Sequence, residues 1–193
     1  GFDRDQPHHH HILTAACGSW WSGPVDGLGI PISDSRDGSP KGFHRLSVDQ
    51  NRYETCFVPF PGDTAKQMRI LLQNIEQPER AINGPVAVSA LNTVRLLVNA
   101  FDGGPQTKVT AEVAGRVLNV RDVVKTGMSD PYIIDSFARN RALCEPWVAA
   151  APSSHIWTAP LPLDLATGVH DIVVRMSGEF GQEHAATTTI TVV

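Results

Sequence analysis

Four consecutive histidines, at residues 8–11, are the densest group of potential metal ligands in the sequence. In an extended chain neighbouring side chains point to opposite faces, so His9 and His11 share one face while His8 and His10 share the other. At most two of them then serve one metal ion, whereas a zinc site uses three or four protein ligands. His9 and His11 are therefore weak metal candidates, and the run is better interpreted as a histidine-rich edge strand.

Two adjacent tryptophans, Trp20 and Trp21, lie between Gly18 and Gly23. In a strand they would point to opposite faces, so both enter one core only if the chain bends there. The glycines permit such a bend, and Pro24 prevents a strand from continuing. Two interpretations stay open: a tight turn whose aromatic side chains cap a core, and a loop that presents an aromatic wall to a ligand.

The three cysteines, Cys17, Cys56 and Cys144, are too few and too scattered for a disulfide framework or a zinc site. A single bridge between Cys17 and Cys56 and three buried free thiols both remain open. The sequence also contains no nucleophile elbow and no glycine-rich loop of the kind that cradles phosphate. A self-contained enzyme is therefore not predicted.

The composition is that of a globular protein, with 41% hydrophobic and 19% charged residues in a chain of 193. A net charge of -4 and the lack of a basic run argue against a nucleic-acid partner. No apolar run is long enough to predict a membrane span. Glycine (16) and proline (14) are frequent, which favours short strands and turns over long helices.

The elements that must position these residues are mostly strands. Residues 84–193 carry seven short apolar or alternating segments with turns between them, which is typical of a β-sandwich of the immunoglobulin or fibronectin type III kind. One short helix is predicted to begin after Ser129 or Asp130, both assigned only as caps, and to end by Cys144. His155 and Trp157 are assigned to the core. The predicted strands are residues 86–88, 95–101, 107–113, 116–120, 155–159, 169–176 and 185–193.

Residues 17–83 are predicted to form a connecting segment of strands and loops. Residues 43–48 and 52–58 are predicted to form two strands joined by a turn at residues 49–51. Residues 67–72 are predicted to form a third strand, although their apolar spacing also fits a short helix. Residues 25–45 are rich in Gly, Asp, Ser and Pro and indicate an irregular loop. A boundary is placed between residues 83 and 84, before a Gly-Pro pair.

The ordered set of motifs resembles the C-terminal region of bacterial calcineurin-like metallophosphoesterases. The resemblance covers nearly the whole chain, and no single motif is specific by itself. Its motifs are GSWWSGP at 18–24, GIP at 29–31, DGSPKGF at 37–43, NRY at 51–53, QMRI at 67–70, HIWTAPLP at 155–162 and GVHDI at 168–172.

This resemblance implies that residues 1–16 are the tail of a catalytic domain that lies N-terminal to the sandwich. It implies a parent enzyme that hydrolyses phosphoesters with two divalent metal ions about 3.5–4 Å apart. The ligand motifs of that family, which include Asp-x-His and Gly-His-x-His, do not occur in these 193 residues. The chain is therefore predicted to be inactive alone and to hold no metal of its own.

Matched to the family's motifs, Trp20, Trp21, Asp37 and Lys41 are the candidates that line or buttress the mouth of the parent's active site. Lys41 is interpreted either as a point charge for a substrate phosphate or as a solvated loop lysine. The two tryptophans would contact substrate or staple the seam between the domains.

The expected partner is the N-terminal catalytic domain of the same parent chain, and the family's arrangement favours the periplasm or the cell surface. The alternative function is a carbohydrate-binding sandwich, in which exposed tryptophan faces stack on sugars. Its candidate residues are Trp20, Trp21, Trp147 and Trp157.

Overall fold

The computed structural model describes residues 13, 15–17, 23–60, 64–122 and 127–193. Its strands are β1 Gly42–Asp49, β2 Arg52–Pro59, β3 Met68–Asn74, β4 Ala81–Ile82, β5 Val94–Ala100, β6 Lys108–Val113, β7 Arg116–Val117, β8 Arg121–Asp122, β9 Ile156–Pro160, β10 Gly168–Ser177 and β11 Glu183–Val192, and the helix α1 spans Pro131–Arg139.

Two sheets form the body of the protein. The first has five strands in the order β4-β3-β5-β9-β8, and the second has four strands in the order β11-β10-β6-β7. Neighbouring strands run antiparallel in both sheets. The prediction of a mostly β protein with a β-sandwich and one short helix is confirmed, whereas the immunoglobulin or fibronectin type III kind stays a prediction.

The apolar core comes from the inner faces of both sheets. In β6 the residues Val109, Ala111 and Val113 are buried and alternate with more exposed polar ones, as period-two strand geometry requires. Ile172 and Val174 of β10 are fully buried against them in the same core. Burial of these apolar side chains supplies the main driving force for the sandwich.

The strand β5 lies in the middle of the five-stranded sheet, with β3 on one side and β9 on the other. Leu96 and Val98 enter the core, and Leu97 and Asn99, which alternate with them, are also completely buried. Both faces of this strand are therefore covered. The residues that cover its outer face belong to the candidate functional site.

The strand β3 completes the same sheet, because it pairs with β5 along its whole length and with β4. Its Met68 and Leu72 belong to the sandwich core, and Ile70 packs against it, as the alternation predicts. The sandwich therefore takes strands from both sides of the boundary predicted between residues 83 and 84.

The strands β1 and β2 form a hairpin of their own, outside both sheets of the sandwich. The predicted turn at residues 49–51 is confirmed, and Gln50 takes a positive φ of 55° there. The base of the hairpin is tied to the sandwich, since His44 Nε2 lies 2.8 Å from Asp102 Oδ1 and Gln182 Nε2 donates to the carbonyl of Thr55 at 2.9 Å.

The prediction of a strand at residues 86–88 is wrong. Val86 makes only a single bridge with Val192, and residues Val88–Thr93 form a 3₁₀ helix instead. Leu91 of that turn is 1% exposed, so the burial of one leucine in the core outweighs the β propensity of Val88.

The helix α1 begins after Asp130 and ends at Arg139, within the predicted limits. Its apolar stripe is buried through Ile133 and Phe137, which pack with Val148 into a small second core. The Asp130 carboxylate accepts a hydrogen bond from the Tyr132 amide, which makes it the predicted N-cap.

Candidate functional site

The predicted site residues fall into two groups. Trp20, Trp21, His9 and His11 lie outside the described residues. Asp37 and Lys41 are described, and both belong to the segment 23–41, called here the anchored loop. The geometry of this loop is therefore what the structure adds to the predicted site.

The first part of the anchored loop is a compact turn. Val25 bridges to Pro31, and the Asp26 carboxylate accepts hydrogen bonds from the amides of Leu28 and Ile30 at 2.9 and 3.0 Å. These bonds fix a turn in which Leu28 is 85% exposed. The residues that follow the tryptophan pair are thus held in one shape by an aspartate, as turn chemistry predicts.

The second part of the loop turns tightly at Gly38. The Ser39 amide donates to Asp37 Oδ1 at 2.9 Å, and the Gly38 amide donates to the carbonyl of Ser35 at 2.9 Å. Gly38 has a φ of 90°, and a Cβ at this position would lie 2.6 Å from Cβ of Asp130. Only glycine therefore allows the loop to approach the start of α1 so closely.

A buried polar network holds this turn against the outer face of the five-stranded sheet. We call it the polar anchor, and its members are Asp37, Arg69, Asn99, Asp130 and His155. Asn99 Nδ2 donates to the carbonyl of Asp37 at 3.1 Å and to Asp130 Oδ2 at 2.7 Å. Because the amide nitrogen serves these oxygens, Asn99 Oδ1 accepts from His155 Nδ1 at 2.7 Å.

Asp130 is the most buried charge in the polar anchor, with a side chain that is 0% exposed. Besides capping α1, its carboxylate accepts from Asn99 and from Arg69 Nη1 at 2.8 Å. The prediction that Asp130 is only a cap is therefore wrong. A buried carboxylate is tolerated when it is paired and fully hydrogen-bonded, and Asp130 meets both conditions.

His155 is buried, as predicted, but its ring takes part in hydrogen bonding rather than in apolar packing. Its Nε2 lies 3.3 Å from Asp37 Oδ2 and 3.5 Å from the Ser39 hydroxyl. Burial raises the pKa of Asp37, but the hydrogen bond and charge of His155 and the bonds from Ser39 outweigh it, so this pKa lies below its ordinary value. Asp37 is therefore an ionised buttress of its own loop.

Lys41 lines a small cleft of about 280 Å³ beside the polar anchor. The cationic side chains Lys41, Lys66 and Arg69 line it together with Asp26 and Asp34. Of these cations, Arg69 is also paired with the carboxylate of Asp130, which is buried and does not line the cleft.

A cation–π contact between two residues that line this cleft forms one of its sides. The Arg69 guanidinium lies 3.7 Å from the ring centre of Tyr132, whose hydroxyl donates to Asp34 Oδ2 at 2.7 Å. Burial, followed by the charge of Asp34, raises the pKa of Tyr132 to about 12. Burial also raises the pKa of Asp34, and the hydrogen bond from Tyr132 and the nearby cations do not fully offset it.

A larger cleft of about 530 Å³ lies between the β1–β2 hairpin and one end of the sandwich. The His44–Asp102 and His155–Asp37 pairs both face it, together with Glu179. Its described lining contains neither lysine nor arginine, so this cleft disfavours phosphorylated ligands.

The described residues do not fit a metal centre, because they contain no group of three or more His, Cys, Asp or Glu side chains that could hold an ion. Cys17, Cys56 and Cys144 are free thiols, so the Cys17–Cys56 bridge that the sequence left open is not formed. No step of metal chemistry is derived for this part of the chain.

Two of the tryptophans proposed for sugar stacking are described. Trp157 is 5% exposed and lies in the sandwich core, so its ring faces are unavailable to a ligand, in agreement with its assignment to the core. Trp147 is 59% exposed. Of these two tryptophans, only Trp147 could therefore stack on a sugar in the alternative of a carbohydrate-binding surface.

The sequence did not identify Asn99 or Arg69 as site residues. A signal for Asn99 was present, since it is the one polar residue in the apolar run 96–100 of the central strand β5. Such a residue needs hydrogen-bond partners, which here come from the anchored loop and from the cap of α1. Arg69 carried no comparable signal. It lies in a part of β3 that is only half-buried, where a charged side chain is not unusual.

A comparison with protein families found that residues 10–184 match the family described as the C terminal of calcineurin-like phosphoesterase. The match covers most of the chain, including the anchored loop and every strand of the sandwich except β11, of which it reaches only the first two residues. A search of curated proteins returned no match. Within the described residues, every helix is too short or too polar to cross a membrane.

Proposed function

The chain belongs to the family formed by the C-terminal regions of calcineurin-like phosphoesterases, and from that premise we propose that it is a non-catalytic accessory region. In this proposal it packs on the N-terminal catalytic domain of the parent chain and shapes the mouth of the active site. The parent's two divalent metal ions are bound by that domain and not by this region.

The observation that carries this proposal is the attachment of the anchored loop to the sandwich. Asn99 donates to the carbonyl of Asp37 and Arg69 donates to the carbonyl of Gly38. Both side chains also donate to the carboxylate of Asp130 at the start of α1. Burying charged groups costs free energy unless they are paired, and a loop that is held by such groups keeps neighbouring residues in a defined position. The tryptophan pair directly precedes this loop in the sequence.

Each predicted mouth residue has a distinct role in the proposal. Asp37 acts as a buttress through His155 and does not contact the substrate. Lys41 lines the small cleft, where its ammonium group donates to the carbonyl of Pro31 at 3.4 Å and would face the active-site entrance. Trp20 and Trp21 form the apolar surface that meets either substrate or the catalytic domain. Export to the periplasm or cell surface is part of the same proposal.

Steady-state kinetics of the parent enzyme test this role. We expect Lys41→Ala, Trp20→Ala or Trp21→Ala to change KM or kcat for a phosphoester by about tenfold, because they alter the entrance without removing a metal ligand. Lys108→Ala, in an exposed part of β6 away from the cleft, is the matched control. Kinetic constants that stay within about twofold of the parent for all three variants would contradict the proposal.

A carbohydrate-binding sandwich is the second candidate function, and the exposed ring of Trp147 favours it. Calorimetric titration of the chain with a panel of glycans tests it. Binding that disappears in Trp147→Ala supports this function, and the lack of a heat signal with every glycan rejects it.

A further inference from the structure

We propose that the free edge of β11 pairs with the same edge of a second copy of this chain, so that the two four-stranded sheets join into one antiparallel sheet across a two-fold axis. The free edge consists of the backbone N–H and C=O groups of Ala185, Thr187 and Thr189. This inference goes beyond the proposed function and does not depend on it.

The direction of the backbone groups in β11 follows from its neighbours. One side of the strand pairs with β10 along its whole length, and the other side is bridged by Val86 at Val192. The Val86 amide donates to the carbonyl of Thr191, and the Val193 amide donates to the carbonyl of Val86, both at 2.9 Å. Because backbone groups alternate in direction along a strand, the odd-numbered residues of β11 point away from β10.

Three successive odd-numbered positions of β11 have no partner on that side. In the part of the chain that the structure describes, nothing bonds to the outward backbone groups of Ala185, Thr187 and Thr189. Their side chains are exposed, whereas the alternating Ala186 and Thr188 are half-buried. The backbone groups of the free edge are therefore open to water or to an added strand.

The edge at β11 lacks the features that protect the other edges of the sandwich. The strands at those edges, β4, β8 and β7, have two residues each and offer little backbone to an incoming strand. β11 has ten residues, pairs with β10 without a bulge and contains neither proline nor lysine. A long edge of this kind is a template for pairing with another chain.

The geometry and charge of the edge favour a second copy as its occupant. With Thr187 opposite its own counterpart, Ala185 lies opposite Thr189, and each outward N–H meets an outward C=O across the two-fold axis. Residues 185–191 are uncharged, so this register places no like charges opposite each other. Each copy therefore supplies both the open edge and a strand that fits it.

Association through this edge is expected to be weak. Three paired positions bury far less than the roughly 1,200–2,000 Å² of a standard interface. The new hydrogen bonds replace bonds to water, so each contributes little, and the cross-strand threonine pair adds to them. We expect a Kd of roughly 0.1–1 mM, which places the dimer within reach of measurements at high protein concentration.

Sedimentation equilibrium of the 193-residue chain, at concentrations from about 10 µM to about 1 mM, tests the inference. We expect the average mass to rise from 20.9 kDa towards twice that value and never beyond it, because a two-fold pair is closed. Thr187→Lys with Thr189→Lys brings like charges together across the axis and is expected to raise the Kd at least about tenfold.

The matched control is Asp171→Lys, which changes the net charge by the same amount. Asp171 is exposed and lies opposite Thr189 on β10, a strand that is paired on both sides and is not part of the free edge. Its side chain points to the same face as that of Thr189. The control is expected to dimerise like the wild type.

Residue-resolved amide exchange by NMR identifies the surface. Between the lowest and the highest concentration, we expect exchange at Ala185, Thr187 and Thr189 to slow by about two- to fivefold, as the dimerised fraction rises. Exchange at Ala186 and Thr188 is expected to be slow at every concentration, because these amides point towards β10.

Three results would overturn the inference. The first is a mass that stays at 20.9 kDa up to the highest concentration. The second is a dimer that the double lysine variant leaves intact, or one in which the odd-numbered amides are not protected, because another surface then makes the contact. The third is protection of these amides in the parent enzyme at every concentration. The N-terminal catalytic domain would then occupy the edge, and the proposed function would stand without this inference.

Discussion

Asn99 is the residue through which the anchored loop, the sheet and the helix are joined. Its side chain is 0% exposed and uses both its amide nitrogen and its oxygen. No other residue of the polar anchor contacts the loop backbone, the helix cap and the buried histidine at once. Its role is structural, and it acts on the candidate site only through the residues that it holds.

Replacement of Asn99 by alanine is expected to lower the free energy of unfolding by roughly 3 kcal/mol, because buried groups of Asp130 and His155 lose a partner. Urea denaturation measures this change. Asn92→Ala, at an exposed position, is the control and is expected to stay within about 0.5 kcal/mol of the wild type. A loss at Asn99 no larger than that of the control would show that the network is not needed for stability.

Two aspartates in the anchored loop are expected to give opposite pH dependences. The pKa of Asp37 lies below its ordinary value of 3.8, so its stabilising effect is complete above that pH and is lost as the pH falls through the folded-state pKa. The pKa of Asp34 is raised, so its ionisation costs stability as the pH rises from 3.8 through the folded-state pKa.

Unfolding free energies of Asp37→Asn and Asp34→Asn, measured against the wild type from pH 3 to pH 7, test these signs. With rising pH, Asp37→Asn should become less stable relative to the wild type and Asp34→Asn more stable. The same slope for both variants would contradict the assigned environments. Chemical denaturation at each pH provides the measurement.

The sequence predicted part of this residue-scale picture. Asp37 was identified through its motif, and the burial of His155 followed from its place beside an apolar strand. The partnership between them was not predictable, because it joins residues 118 positions apart in the chain. For Asp130 the local sequence predicts only the helix cap. It indicates the hydrogen bond from the nearby Tyr132 amide, but not those from Asn99 and Arg69, which are distant in the chain.

At the scale of elements, the anchored loop depends on the close approach of Gly38 to the start of α1. The positive φ of Gly38 and the 2.6 Å between its hypothetical Cβ and Asp130 are two separate constraints. Gly29 shares the first constraint, with a φ of 77°, but has open space around it. A comparison of substitutions at Gly29 and Gly38 therefore separates the effect of backbone strain from that of a steric clash.

Gly38→Ala is expected to destabilise the protein by about 3 kcal/mol and Gly29→Ala by about 1 kcal/mol, because only Gly38 adds a clash to the strain. Thermal unfolding of the two variants measures the difference. Equal effects at the two positions would mean that the loop does not press against α1.

The strands were largely predictable, and the reasons differ between elements. The alternation in β6 and β10 and the turn chemistry at residues 49–51 led directly to the correct structure. Residues 86–88 were mispredicted, because Val-Ala-Val carries β propensity while the burial of Leu91 requires a 3₁₀ turn. Which strands share a sheet could not be read from local pattern, because β3 meets β5 across a long connection.

At the scale of the whole molecule, two clefts of different character flank the anchored loop. The small cleft combines three cations with two carboxylates, and the described lining of the large cleft contains carboxylates and histidines without lysine or arginine. The described lining of the large cleft therefore offers no lysine or arginine to a phosphate.

The most direct test of this account is a hydrolysis assay of the 193-residue chain beside its parent enzyme. Both are incubated with Mn²⁺ or Mg²⁺ and with p-nitrophenyl phosphate or bis(p-nitrophenyl) phosphate, and the release of p-nitrophenolate is followed. The account predicts turnover by the parent and, for the chain alone, a rate equal to that of metal in buffer. Metal-dependent turnover by the chain alone that a chelator abolishes would contradict it.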